Sequence, residues 1–111
     1  MKLALPVANG VLCMHFGHCQ EFNFIEVDEN QTITNSEFQT PPPHEPGVLP
    51  RWLNENGVNL VIAGGMGMRA QQLLNDAGIK VVTGAPAEAP KKIVEAFLNE
   101  SLSTGENACS H

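Results

Sequence analysis

The chain is poor in cations and in large aromatic side chains. Its 111 residues contain six Lys+Arg against twelve Asp+Glu, one tryptophan and no tyrosine, and the formal net charge is -6. Nucleic-acid binding depends on clustered cations that displace counterions from phosphates, and no such cluster occurs here. An acidic surface also disfavours contact with anionic membranes. The composition therefore predicts no nucleic-acid partner and no membrane partner.

Long apolar runs are also missing. The longest, such as residues 60–63, are far too short to span a bilayer, and residues 1–10 lack the extended apolar core and cleavage site of a secretory signal. We therefore expect a cytoplasmic protein. The length suits a single domain over residues 1–102, followed by a mobile tail over residues 103–111 that has no apolar periodicity.

Several catalytic signatures are absent. The chain has no Gly-x-Ser-x-Gly elbow, no His-Glu-x-x-His and no Cys-x-x-Cys pair, and its first apolar segment carries no carboxylate for a two-metal nuclease site. The number of cysteines, three, is uneven, and the expected compartment is reducing. A disulfide framework is therefore not expected. Metal ligation or thiol chemistry is the question that these cysteines raise.

The first half of the chain predicts strands. LALPVA (3–8) is typical of a short buried strand, and EFNFIEV (21–27) with TITNSEFQ (32–39) predicts an antiparallel hairpin whose second strand is polar and edge-like. The proline-rich segment TPPPHEPG (40–47) cannot form a helix or a central strand, because proline has no amide donor. It is predicted to be a loop within the same domain.

The second half contains an internal repeat. LNENGVNLVIAG (53–64) and LNDAGIKVVTGA (74–85) align at a spacing of 21 residues, and each combines a helix end, a glycine suited to the left-handed cap and an apolar strand. Such repeats indicate parallel strands with right-handed helical crossovers. Helices are predicted over 48–56, 68–77 and 90–99. The predicted order is β-β-β-α-β-α-β-α, an α/β domain with a five-stranded mixed sheet flanked by three helices.

The segment CMHFGHC (13–19) concentrates soft metal ligands: Cys13, His15, His18 and Cys19. Thiolate and imidazole are the ligands that zinc, copper(I) and iron–sulfur clusters prefer. Five residues separate the cysteines, which is too many for a zinc knuckle. The segment follows the first strand, which places it at the carboxyl edge of the sheet, where α/β proteins bind ligands. The alternative is that both cysteines are packed thiols.

Three further ligand candidates lie elsewhere in the chain. Cys109 and His111 near the C-terminus would complete a mixed shell with the CMHFGHC segment if the tail folds back, and a disordered tail is the alternative. His44 lies in the proline-rich loop and could reach the same site. A solvent-exposed or hydrogen-bonded histidine is the alternative for His44.

The segment GGMGMR (64–69) connects a predicted parallel strand to a helix. Its glycines allow the backbone to expose amides at a helix N-terminus, which predicts an anion-binding turn. A turn without a ligand is the alternative, since the segment is neither a P-loop nor a dinucleotide fingerprint. The candidate contacts are the backbone of the turn, two soft thioethers and one cation: Gly64, Gly65, Met66, Gly67, Met68 and Arg69.

Taken in order, MKLALPV, HFG-x-C, PHEPGVLPRWL and GVNLVIAGGMGMRA resemble the dinitrogenase iron–molybdenum cofactor biosynthesis family over residues 1–100. The resemblance implies a ribonuclease-H-like motif and a role like that of nitrogenase cofactor carriers and orange-protein-like members. It also implies that His15, Cys19 and the 64–69 turn face an anionic metal–sulfur cluster. Cys13, His18 and the Cys-x-His tail depart from the general pattern. They leave open an iron–sulfur cluster, a molybdenum-containing cluster or a single transition-metal ion.

The leading hypothesis is therefore a non-enzymatic carrier or scaffold for a metal–sulfur cofactor. Its partners would be metallocluster donor and acceptor proteins, and the resemblance adds a Mrp-type iron–sulfur ATPase as a candidate. A second hypothesis is an interaction or regulatory module that docks on such an assembly ATPase. A third is a thiol-redox protein in which Cys13 and Cys19 form a reversible disulfide.

Overall fold

A computed structural model describes residues 1–16, 19–43 and 47–102. Within these residues the elements follow in the order β1 (Lys2–Ala8), β2 (Val11–Leu12), β3 (Glu21–Val27), β4 (Ile33–Gln39), α1 (Val48–Glu55), β5 (Leu60–Ile62), α2 (Met68–Asp76), β6 (Lys80–Val82) and α3 (Pro90–Leu98). The predicted α/β class is confirmed, with boundaries within about one residue of those expected. None of the helices in these three ranges has the length and apolar character needed to cross a membrane.

The strands of the described residues form one mixed sheet in the order β4-β3-β1-β5-β6, with the short β2 added beside β1. β3 pairs antiparallel with β1 and with β4, whereas β5 and β6 continue the sheet in parallel on the other side. The antiparallel hairpin predicted for residues 21–39 is confirmed. Its turn is held by the Asp28 carboxylate, whose Oδ1 accepts from the Asn30 and Thr32 amides at 2.9 Å each.

The internal repeat corresponds to two matching helix ends. Gly57 and Gly78 have φ of 75° and 81°, a left-handed conformation that glycine adopts without steric cost. The amide after each glycine donates back to the helix, Val58 to Leu53 at 3.1 Å and Ile79 to Leu74 at 2.9 Å. These bonds are typical of the Schellman motif, which ends a helix and turns the chain into the next strand.

The core lies on both faces of the sheet. Ala4, Phe22 and Phe24 belong to the cluster that also holds buried residues of α1 and α2. Leu3 and Ile25, which point to the opposite face, belong to the cluster that packs against α3. Because successive side chains of a strand alternate in direction, the same strands supply both clusters.

The short strand β2 was not predicted, and it decides where the cysteines lie. β5 pairs with β1 at Leu3 and Ala4, and β2 pairs with β1 further along, at Val7 and Ala8. The Cys13 amide then donates to the Pro6 carbonyl over 2.8 Å. β3 pairs with the opposite edge of β1. β2 and Cys13 therefore pair with the same edge of β1 as β5 does, beyond the point where β5 ends. The residues after β2 therefore lie in front of the carboxyl end of β5.

Candidate functional site

The two sequence segments predicted to bind ligands touch each other in the structure. We define the cysteine loop as residues 13–16 with Cys19, and the glycine turn as residues 64–67. The Phe16 amide donates to the Gly65 carbonyl over 3.0 Å. Met14 lies so close to Gly64 that a Cβ added there would be 3.0 Å from the Met14 Sδ and 3.2 Å from its Cα. The lack of a side chain at Gly64 therefore allows this approach.

Hydrophobic packing holds the cysteine loop in place. The Phe16 ring is 5% exposed and meets the Phe22 ring edge to face, with 5.7 Å between centroids. An aromatic pair of this kind contributes about 0.5–1.5 kcal/mol beyond its buried area. Cys19 packs against the same cluster. The amide of Gln20 donates to the Val7 carbonyl over 3.0 Å, so the chain returns directly into β3.

Both thiols of the cysteine loop are free and half-buried. The Cys13 Sγ donates to the His15 carbonyl over 3.2 Å. Burial, together with the negative charge of a nearby Cys13 thiolate, raises the pKa of Cys19 to about 12, and a backbone hydrogen bond acts in the opposite direction. The two thiols are thus near enough to interact electrostatically. Binding a metal at Cys19 requires the release of its proton.

The carbonyl groups of the glycine turn are all engaged. Gly64 accepts from the Gly84 amide at 2.9 Å, and Gly65 accepts from Phe16. Met66 accepts from the Gln71 side-chain Nε2 at 3.0 Å, and Gly67 accepts from the Gln71 amide at 3.1 Å. The partners come from the β6 end, the cysteine loop and α2. They fix the orientation of every peptide group in the turn.

Two amides of the glycine turn, those of Gly65 and Gly67, differ from these carbonyls. No residue in the described part of the chain accepts a hydrogen bond from the Gly65 or the Gly67 amide. Gly65 is a buried residue, and a buried amide without an acceptor is costly. The Gly64–Gly65 peptide directs its carbonyl toward Gly84, so the Gly65 amide points to the other side, where the cysteine loop lies. This arrangement suits an anionic ligand at the junction of loop and turn.

The N-terminus of α2 adds to this character. Gly67 caps the helix without a side-chain hydrogen bond, and no acidic residue occupies the first turn. The first amides of an α-helix have no partner within the helix, and they carry partial positive charge. Arg69 is exposed and lines a depression of about 560 Å³ along the outer side of α2, together with Met68 and Asn75.

The methionines lie where the sequence alone could not place them. The Met66 side chain is completely buried in the core, so a contact from this residue to a ligand would have to use its backbone. Met68 is 76% exposed at the start of α2. Met14, which the sequence analysis did not select, lies against Gly64 and is 40% exposed. Its position between Cys13 and His15 in a segment of soft ligands was the signal that could have identified it.

Four of the predicted ligands lie outside the described residues: His18, His44, Cys109 and His111. Among the residues that are described, no group of three or more His, Cys, Asp or Glu side chains is arranged to hold a metal ion. A closed three-ligand site is therefore not formed by Cys13, His15 and Cys19 alone. The His15 side chain is exposed and lies between the two cysteines in the sequence.

Comparison with known sequences identifies a family. The sequence profile described as "Dinitrogenase iron-molybdenum cofactor" matches residues 1–100. An uncharacterized protein of Methanocaldococcus jannaschii, MJ0580, is 36% identical over 86 residues, which cover 73% of this chain and 72% of that protein.

Solved structures have the same fold. The crystal structure of PH0822 has a TM-score of 0.86 and 29% identity, and the similarity covers 94% of each chain. The apo form of the orange protein from Desulfovibrio gigas has a TM-score of 0.71 and 22% identity, covering 96% of this chain and 93% of the orange protein. At that identity the second likeness concerns the fold alone.

Proposed function

The chain belongs to the dinitrogenase iron–molybdenum cofactor family, and on that premise we propose that it is a non-enzymatic carrier or scaffold for a metal–sulfur cofactor in metallocluster assembly. The observation that carries the proposal is the junction of the cysteine loop with the glycine turn, where Phe16 bonds to Gly65 and Met14 packs on Gly64. Soft ligands and open backbone amides meet there in one place.

The two halves of this junction match the two chemical requirements of such a cofactor. Thiolates of Cys13 and Cys19 are soft donors suited to thiophilic metals. The amides of Gly65 and Gly67 and the N-terminus of α2 stabilise negative charge on the sulfur atoms of a bound cluster. The protein surface is otherwise acidic, with a formal net charge of -6, so this local arrangement opposes the charge of the whole molecule.

The thiol chemistry suits a carrier that releases its cargo. Because the pKa of Cys19 is raised to about 12, protons compete with metals for this thiol at neutral pH. This competition favours transfer over permanent retention. Cys109, His111, His18 and His44 stay candidates for further ligands, and metallocluster donor and acceptor proteins stay the proposed partners.

The test is anaerobic reconstitution of the metal-free protein with two probes in parallel, tetrathiomolybdate with copper(I), and iron(II) with sulfide. Metal analysis after desalting and the charge-transfer absorption of the product measure uptake. Cys13→Ser and Cys19→Ser should each reduce uptake strongly. Cys109→Ser, the same chemical change outside the described residues, measures the contribution of the tail.

Unfolding curves of all three variants serve as the folding control. If the Cys13→Ser and Cys19→Ser proteins are folded and take up both probes as the unmodified protein does, the cysteine loop is not the binding site. If neither probe binds the unmodified protein, the proposal of a metal–sulfur carrier is wrong.

A further inference from the structure

The Met66–Gly67 peptide differs from its neighbours in the glycine turn. The carbonyls of Gly64 and Gly65 accept from backbone amides, which no substitution other than proline removes. The Met66 carbonyl accepts from the side chain of Gln71, at 3.0 Å from its Nε2. Among the carbonyls of the turn in the described structure, this is the one whose partner is a side chain.

The orientation of this carbonyl also sets the orientation of an amide. In a trans peptide the carbonyl of one residue and the amide of the next point in opposite directions. By attracting the Met66 carbonyl, Gln71 turns the Gly67 amide to the other side, away from the Gln71 side chain. No described residue accepts a hydrogen bond from that amide.

The peptide can take the reverse orientation because glycine follows it. Rotating the Met66–Gly67 peptide by about half a turn would change φ of Gly67 from -66° to a positive value, which glycine adopts without steric cost. An L-residue at position 67 would disfavour the rotated form. A Cβ at Gly67 meets no atom within 4 Å, so the observed form accepts alanine.

We infer that Gln71 is a positioning residue of the proposed cofactor site: it holds the Met66–Gly67 peptide in the orientation that offers the Gly67 amide to an anionic ligand. The inference rests on the proposed function for the identity of that ligand, a sulfur-bearing metal anion. Gln71 itself acts through the backbone and is half-buried at the first turn of α2. Its side-chain amide donates to the Met66 carbonyl.

Gln71→Met tests the inference, because methionine keeps the length of the side chain and removes the donor. The matched control is Gln72→Met. Gln72 is the next residue, is exposed, and its side chain forms no hydrogen bond with the described residues. Tetrathiomolybdate is the probe, titrated anaerobically through its absorption. Loss of one hydrogen bond to a charged ligand should weaken binding about tenfold in Gln71→Met. Gln72→Met should bind as the unmodified protein does.

Rescue separates positioning from a general loss of structure. In Gln71→Met combined with Gly67→Ala, alanine opposes the rotated peptide, so binding should return to within about twofold of Gly67→Ala alone. A structural defect caused by the methionine would persist in the double variant. Equal binding by Gln71→Met and the unmodified protein, or no recovery on adding Gly67→Ala, would overturn the inference.

A second measurement needs no ligand. The couplings between the Gly67 amide proton and its α protons report φ of that residue in the metal-free protein. They should change in Gln71→Met and stay unchanged in Gln72→Met. In the double variant, the single amide–α coupling at position 67 should equal that of Gly67→Ala alone. If Gln71→Met leaves the couplings unchanged, Gln71 does not orient the peptide. If the couplings change while the unmodified protein takes up neither tetrathiomolybdate nor iron with sulfide, the positioning of the peptide holds and the proposed function fails.

Discussion

Replacing Gly64 by alanine is expected to separate the cysteine loop from the glycine turn. A Cβ at this position would lie 3.0 Å from the Met14 Sδ and 3.2 Å from both the Cα and the Cε of Met14. Carbon atoms in favourable contact are about 3.5–4.0 Å apart. The thioether can rotate away, but the Cα can move only if the loop moves. The structure therefore predicts a displaced loop and not a local side-chain change.

The magnitude follows from two opposing effects. Overpacking of this kind costs about 1–3 kcal/mol. Alanine also restricts the unfolded chain, which stabilises by about 0.4–1 kcal/mol where the backbone accepts it. Gly64 is not among the glycines with positive φ, so the backbone imposes no further cost. We expect a net loss of about 1–2 kcal/mol, which lowers the melting temperature by about 4 °C for each kcal/mol.

Gly67→Ala is the matched control, because a Cβ there meets no atom within 4 Å and φ is -66°. Thermal and denaturant unfolding measure stability, and anaerobic reconstitution measures metal uptake. Gly64→Ala should lower both, whereas Gly67→Ala should lower neither strongly. Adding Met14→Ala to Gly64→Ala removes the Sδ and Cε contacts and should restore part of the loss, a coupling between neighbours that two independent sites would not show. Equal stability and uptake in Gly64→Ala and Gly67→Ala would refute the account of the junction.

Four further predictions concern the Cys19 thiol, a helix cap and a buried amide. The folded-state pKa of Cys19 is raised from 9.0 to about 12. The stability that this shift contributes is therefore present below pH 9 and is lost as the pH rises toward 12. Denaturant titrations of the unmodified protein should show this loss, and those of Cys19→Ser should not. Alkylation of Cys19 in Cys13→Ser should accordingly be slower in the folded than in the unfolded protein at pH 8, and equal rates would contradict the burial of this thiol. Gly57→Ala, at φ of 75°, should destabilise by about 1 kcal/mol without changing metal uptake, and a change in uptake would show that the cap influences the site. Asn23 is 2% exposed and its Nδ2 donates to the Ser36 Oγ and the Glu37 carbonyl, so Asn23→Ala should destabilise by about 1–3 kcal/mol in unfolding experiments, and an unchanged midpoint would mean that these bonds are replaced by water.

The repeated helix ends illustrate what could be predicted from local sequence. Gly57 and Gly78 each follow a helix and precede an apolar strand, and a left-handed cap at both positions was expected because few other residues adopt that conformation. The strand over 21–27 was predicted with its observed limits for a similar reason. Side-chain type and spacing determine these features within a few residues, so no distant contact is needed to predict them.

The cysteine loop illustrates what local sequence could not show. The ligand types in CMHFGHC and the glycines of the turn were evident, but β2 has two residues and no periodicity from which to predict it. Its pairing with β1 depends on β5 ending early along the same edge, which is a relation between segments about 50 residues apart in the sequence. That pairing brings the loop in front of the glycine turn.

The sequence by itself determined the α/β class, the helix caps and the two kinds of chemistry that the candidate site offers, because these depend on residue types at short spacing. The tertiary structure decided which of those groups meet. It buries Met66 in the core, places Met14 against Gly64 and raises the pKa of Cys19 by burial. It also directs the carbonyls of the glycine turn to partners after β6, in the cysteine loop and on α2. Burial and hydrogen-bond partners depend on what the folded chain brings together, and that is a property of the whole sheet and its helices.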